Sequence, residues 1–263
     1  MAMYELFGTA LFMYMILVST GDQFAVPLSL FAVILIFGGI TGGHFNPAVT
    51  LGVLLHEKSS IIYNLPFALL IIGSQLVGAC LGMIGAAFSL SAKIDGEWQI
   101  PESKVPVLAP KDPTGVNKYD MDDADGFSED WQTIFTQIVC TFIFVSVILM
   151  VKGQVTRNTS PSSDGALLAM TVVLTLGGLI SVANHHAASF NPAVTLGLTI
   201  FQTQVLENVG GYLTHYFYAY FLGPFIGGAV AGLFANLHAP LHLPAKGGPQ
   251  SADEEAAGLV ANQ

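Results

Sequence analysis

Phe45-Asn46-Pro47-Ala48-Val49-Thr50-Leu51-Gly52 occurs a second time in this chain, as Phe190-Asn191-Pro192-Ala193-Val194-Thr195-Leu196-Gly197. Eight identical residues recur at an offset of 145 residues, from Asn46 to Asn191, each copy inside an apolar stretch. Such a recurrence reports internal duplication. Each copy reads as the start of a short helix. Asn is a good N-cap, and Pro at the first helical position gives up no needed donor. The runs 47–56 and 192–201 are ten residues each, which makes about 15 Å of helix. A bilayer's hydrocarbon core is roughly 30 Å thick, so each run crosses about half of it. Two such half-helices entering from opposite faces would meet at the midplane. Broken helices with their positive ends aimed at a central site occur in membrane proteins built from inverted repeats.

The rest of the chain supports a membrane setting. Of 263 residues, 52% are hydrophobic and only 10% charged, and the mean hydropathy is +0.62. That is the composition of an integral membrane protein. Apolar runs at 4–19, 24–40, 61–89, 131–151, 165–183 and 212–237 read as six spans. The first is long enough to be a span rather than a cleaved signal peptide. The spacing predicts a single domain over 1–240. It comprises one repeat at about 4–90, a polar connector at 91–130 and a second repeat at about 131–237. Residues 238–263 form a polar tail of disordered composition. A second echo supports the duplication independently: Glu5-Leu6-Phe7-Gly8-Thr9 opens the first half and Gln137-Ile138-Val139-Cys140-Thr141 the second. A charged residue inside a span, such as Glu5, faces the protein interior and carries a role.

The net charge of −10 is uneven, with ten of the 18 acidic residues between Ser91 and Asp130. No basic patch exists for a nucleic-acid partner. The stretch Asp120-Met121-Asp122-Asp123-Ala124-Asp125-Gly126 offers carboxylates to calcium, but it lacks the terminal Glu of an EF-hand loop. It reads as a solvated acidic loop. Asn158-Thr159-Ser160 is formally a glycosylation sequon. Lys and Arg divide four against four between the two sides, so no positive-inside bias sets the orientation. Cys80 and Cys140 lie within apolar runs and read as small core residues, not a disulfide. Gly78-x-x-x-Gly82 permits close helix packing. No cofactor motif, metal-ligand cluster or nucleophile–base constellation is evident, which leaves an enzyme unsupported.

Paired Asn-Pro-Ala boxes in two similar halves resemble the aquaporin and glycerol facilitator (major intrinsic protein) family. Gln75-Leu76-Val77-Gly78-Ala79 resembles that family's third span, and Gly223-Pro224-Phe225-Ile226-Gly227-Gly228-Ala229 its last. The resemblance covers roughly 4–240. It implies an all-α integral membrane fold of six transmembrane helices plus two half-helices in an inverted repeat. It also implies a passive channel for water and small neutral solutes such as glycerol, urea, ammonia or hydrogen peroxide. Cytosolic termini and a homotetramer in the lipid bilayer are further family expectations.

Site residues follow from the same resemblance. The half-helix ends, each with roughly +0.5 elementary charge, and the amides of Asn46 and Asn191 would interrupt a proton wire at Asn46-Pro47-Ala48 and Asn191-Pro192-Ala193. Carbonyls of Gly42, Gly43 and His44, and of Ala187, Ala188 and Ser189, would form a ladder of acceptors. Irregular backbone at that depth is tolerated only where protein buries it or a wet cavity lines it. In the family a Glu at the position of Glu5 braces the half-helix loop, and Gln137 departs from its usual second copy. Family spacing places a second constriction at Val26, Leu179, Ala188 and Val194. Relatives usually carry Arg where Val194 stands, so an apolar constriction without fixed charge is expected. His185 or His186 is a candidate to replace that charge. A structural or junctional subunit with the same fold and little conductance is the alternative, because fold alone does not establish function. A secondary transporter ranks behind both, since Glu5 is the sole intramembrane carboxylate.

Overall fold

The computed structural model of the chain describes residues 1–57, 61–111, 126–156, 165–206 and 214–238. Its helices are α1 (Ala2–Val18), α2 (Ala25–Thr41), α3 (Pro47–His56), α4 (Ile61–Leu90), α5 (Gly126–Thr156), α6 (Gly165–Val182), α7 (Pro192–Val205) and α8 (Phe217–His238). Among the described residues the strands are β1 (Ala92–Ile94) and β2 (Glu97–Gln99), an antiparallel pair with Lys93 opposite Trp98.

The outer surface is unlike a water-soluble protein's. Ile62 is 90% exposed and Phe88 79%, while Glu5, Gln75, Gln137 and Gln202 are wholly buried. Polar groups inside and large apolar groups outside suit a hydrocarbon surround. The segments Ile61–Leu90, Asp130–Lys152, Gly165–Val182 and Phe217–Leu237 are each long and apolar enough to cross a membrane. Helices α1 and α2 have 17 residues each, about 25 Å of rise, and complete a set of six. With half-helices α3 and α7, this is an aquaporin-like all-α membrane fold.

Glycines set the helix seams. Gly78 and Gly82 of α4 lie against the carbonyl oxygens of Leu6 and Ala10 of α1, where a Cβ would collide with backbone. The second half repeats the device. A Cβ on Gly223 of α8 would sit 2.8 Å from Gln137 Cβ, and one on Gly227 would strike the Ile138 carbonyl of α5. The half-helices are seated in corresponding ways: a Cβ on Gly52 of α3 would come within 2.6 Å of Val145 Cγ1 of α5, as one on Gly197 of α7 would meet Met13 of α1. Helix α3 rests on α8, with Gly228 against the Ala48 carbonyl and Gly232 against that of Gly52. Helix α7 approaches α1, where a Cβ on Gly197 would come within 2.9 Å of Met13 Cε.

Some boundaries differ from the sequence expectation. Helix α7 has 14 residues against 10 for α3. Its extra turn is polar, and it finds protein partners: Gln202 Nε2 donates to the Pro106 carbonyl at 2.8 Å. The connector holds the β1–β2 hairpin and a short 3-10 turn at Glu102–Lys104, and Val105, Leu108 and Ala109 are buried. Apolar residues within a polar segment are what fold it back onto the bundle. Helix α5 begins at Gly126, ahead of Trp131, and α8 begins at Phe217. The acidic stretch 120–125, the sequon at 158–160 and the tail beyond 238 lie outside the described residues.

Candidate functional site

The two boxes meet head to head. Asn46 and Asn191 are extended N-caps, and their Oδ1 atoms accept from Ala48 N–H at 2.8 Å and Ala193 N–H at 3.0 Å. Each amide then reaches the other half. Asn46 Nδ2 donates to the Phe190 carbonyl at 2.8 Å, and Asn191 Nδ2 to the Phe45 carbonyl at 2.9 Å. To present those carbonyls, Phe45 and Phe190 take φ of 46° and 53°, in the left-handed region that bulky residues rarely visit. The neighbouring packing accommodates this. Gly8 leaves the space that the Phe45 ring fills, and a Cβ there would overlap the ring.

Each bent loop is held from behind. Glu5 is wholly buried. Its Oε1 accepts from His44 N–H at 3.0 Å, and its Oε2 from Phe45 N–H at 2.7 Å and Gln75 Nε2 at 2.8 Å. Gln137 stands in the equivalent place. Its Oε1 accepts from Ser189 N–H at 3.4 Å and Phe190 N–H at 3.3 Å, longer than the Glu5 bonds. Its Nε2 donates to the Ala187 carbonyl at 2.9 Å. A carboxylate has no such donor, so the amide turns one ladder carbonyl toward the protein. Ala187 itself has φ 50°.

The supporting partners also correspond. Gln75 Nε2 donates to Thr50 Oγ1 at 3.0 Å, and His44 Nδ1 lies 3.2 Å from that hydroxyl. In the second half Ser189 Oγ and Thr195 Oγ1 are 2.7 Å apart, and Thr195 Oγ1 donates to the Tyr220 carbonyl at 2.8 Å. Tyr220, at the place of Gln75, sends its hydroxyl to the His186 carbonyl at 2.6 Å.

Two cavities open on opposite sides of this centre. One, about 470 Å³, faces the connector and is lined by residues including Val26, Asn46, Val105, Ala188, Asn191 and Val194. The other, about 840 Å³, lies at the amino-terminal side and is lined by residues including Thr41, Gly42, Thr50, His56, Glu57 and Lys152. Their opposition follows from the helices: α2 gives Val26 and Leu30 of its first half to one cavity, and Gly38 to Thr41 of its end to the other. His44 lines both.

The structure gathers most of the sequence-derived residues and separates a few. Both asparagines, Val26, Ala188, Val194, Ala187 and Ser189 share the connector-side cavity. Leu179 is buried but does not line it; Leu176 and Ile180, a turn apart on the facing side of α6, do. Gly42 and His44 line the amino-terminal cavity, and Gly43 lines neither. His185 and His186 line neither cavity either, and the His186 ring packs toward Thr133, with Nδ1 3.5 Å from Oγ1. Among the described residues, the cation that reaches the connector-side cavity is Lys111, whose Nζ donates to Asn184 Oδ1 at 3.0 Å. Sequence reasoning missed it because it belongs to the connector, outside the repeat. It missed Tyr220 too, which the constant offset from Gln75 signals.

Comparison with known proteins places the chain. A family model described as Major intrinsic protein matches residues 23–235. The chain belongs to the major intrinsic protein family. It is 30% identical over 207 residues to the glycerol uptake facilitator protein-like 6 of Lactiplantibacillus plantarum, covering 75% of this chain and 82% of that one. It is 31% identical over 190 residues to aquaporin Z of Photorhabdus laumondii, covering 72% and 73%. Among solved structures, the aquaglyceroporin from Plasmodium falciparum superposes with a TM-score of 0.69 at 19% identity, covering 91% of this chain and 96% of that one. This family member is a multi-pass integral membrane protein.

Proposed function

We propose that this passive membrane channel carries water and small neutral solutes, such as glycerol, urea, ammonia or hydrogen peroxide, between the two cavities and past Asn46 and Asn191. The observation that carries the reading is the head-to-head pair of capped half-helices where the cavities converge. Each Asn amide has two hydrogens. One is used on the opposite loop, which leaves the second for a passing oxygen. An oxygen that accepts from the asparagines turns its own protons outward on both sides, so no proton wire runs through. The facing helix ends add positive potential that repels cations. Selectivity for size falls to the zone of Val26, Ala188 and Val194, with Leu176 and Ile180 opposite in place of Leu179. Apolar walls there keep solutes weakly bound, as fast passage requires. The pathway lies within residues 1–240, and four copies assemble as a homotetramer, a family expectation that cross-linking in membranes tests.

Stopped-flow light scattering on proteoliposomes, comparing water with glycerol and urea, tests the channel reading. The Val194→Arg variant is run beside the parent. Solute flux that falls in the variant while water flux persists supports the apolar constriction. Fast water flux without solute flux narrows the reading to a water channel. Absence of both fluxes from folded protein replaces it with a structural role.

A further inference from the structure

Resting on that channel reading, we propose that the connector-side cavity selects against polyols, and that Gln137 is a positioning residue for that specificity. Several acceptors in the lining of this cavity are engaged by protein donors. The Ala187 carbonyl accepts from Gln137 Nε2 at 2.9 Å. The Pro106 carbonyl accepts from Gln202 Nε2 at 2.8 Å, and Asn184 Oδ1 from Lys111 Nζ at 3.0 Å. The carbonyls of Phe45 and Phe190 accept from the amides of Asn191 and Asn46. A carbonyl oxygen has two acceptor sites. Each of these bonds uses one and turns the oxygen toward its donor. A solute oxygen entering the cavity finds donors, such as the second amide hydrogen of each asparagine. A solute hydroxyl proton finds oxygens that are already engaged.

The duplication isolates the part played by Gln137. The offset of 145 residues pairs Ala187 with Gly42 and Tyr220 with Gln75. In the first half the two supporting side chains satisfy each other, because Gln75 Nε2 donates to Glu5 Oε2 at 2.8 Å. A carboxylate only accepts. Glu5 therefore takes the N–H groups of His44 and Phe45 and leaves the Gly42 carbonyl unclaimed by the brace. In the second half both supporting side chains carry donors, and no carboxylate stands between them. They turn to the loop instead, Gln137 to the Ala187 carbonyl and Tyr220 to that of His186 at 2.6 Å. Two consecutive carbonyls are thereby held by buried side chains. Val26, Leu176, Ile180 and Val194 line the same cavity, and their side chains have no acceptor to offer in exchange. A polyol stripped of water there needs an acceptor for each hydroxyl, and an unmet hydroxyl costs free energy. Water and hydrogen peroxide, with fewer heavy atoms and protons to satisfy, escape that cost.

Glycerol and 1,3-propanediol share a carbon chain and differ by a single hydroxyl, so the ratio of their fluxes separates hydrogen bonding from width. Both are measured on liposomes holding the full chain, with the flux of protein-free liposomes subtracted and water flux read on the same preparations. Gln137→Glu removes the donor on Ala187 and keeps the acceptor for the Ser189 and Phe190 N–H groups. Combining Gln137→Glu with Tyr220→Gln rebuilds in the second half the pairing that Glu5 and Gln75 make in the first. We expect the parent to pass glycerol well below 1,3-propanediol. We expect both variants to raise the glycerol-to-propanediol ratio by about threefold to tenfold, the factor that one net hydrogen bond makes in an equilibrium. An unchanged ratio in both variants overturns the proposal, as does a parent with equal fluxes of the two solutes. A rise of both solutes together against water reports a wider passage and overturns it as well. So does a parent that passes water and neither solute, since width then excludes both. Should Gln137→Glu alone fail to fold, the double variant, whose buried carboxylate has a donor beside it, decides in the same way. A parent that passes neither water nor solute sinks the channel reading itself, a result distinct from unchanged ratios.

Discussion

Phe45 and Phe190 carry the strain of the site. A bulky residue in the left-handed region costs about 1–3 kcal/mol, and it persists only where surrounding groups over-determine it. Here the N–H of each is taken by a brace and the carbonyl of each by the opposite asparagine. Glu5→Leu leaves the backbone N–H groups of His44 and Phe45 without an acceptor, at about 1–3 kcal/mol each, while Gln75 Nε2 keeps Thr50. We expect it to lower the thermal unfolding temperature in detergent by several degrees and to abolish water flux. Glu5→Gln, which keeps an acceptor as Gln137 does, is expected to retain most of both. A Glu5→Leu protein with parental melting and flux contradicts the bracing role. At this scale much of the site was legible. The boxes and the Glu5–Gln137 echo are local patterns that duplication makes conspicuous. Lys152 was not, because a lysine at a span terminus has the same sequence appearance whether it reaches outward or inward.

At the scale of elements, seams rather than hydrophobic stripes decide the packing. Each face of these helices is apolar, so periodicity says little about which side meets a neighbour. Close-approach glycines do say it, and the structure separates them from idle ones. Gly82 sits against the Ala10 carbonyl, whereas Gly73 of the same helix has open space at its Cβ position. Gly82→Ala is therefore expected to destabilise by about 1–3 kcal/mol through overpacking. Gly73→Ala is expected to be neutral or stabilising, since Ala is the better helix former by about 1 kcal/mol. Equal effects of the two on chemical unfolding in detergent would refute the seam. Sequence supplied α3 to the residue, because an N-cap, a proline and a polar exit bracket it. It shortened α7, because a polar final turn resembles a loop until Pro106 is known to receive Gln202.

At the scale of the molecule, the connector is part of the channel's mouth. Val105, Pro106, Val107 and Leu108 line the connector-side cavity, and Gln202 of α7 holds Pro106 there. Gln202→Leu removes that tether without changing the central asparagines. We expect it to raise glycerol flux relative to water, as the mouth widens, and to speed proteolysis near residue 105. An unaltered ratio and cleavage pattern would show that buried Val105 and Leu108 suffice to keep the segment in place. The duplication could be read from the offset alone, while the connector's inward fold shows only in long-range contacts such as that from Gln202 to Pro106. The reciprocal bonds between the boxes also have a consequence for biosynthesis. Asn46 caps its own helix, yet its amide's partner is the carbonyl of Phe190, well over a hundred residues downstream. While the ribosome is still making the second half, the first re-entrant loop lacks its closing contact. The centre of the channel is therefore completed late, when the two halves of the nascent chain find each other inside the bilayer.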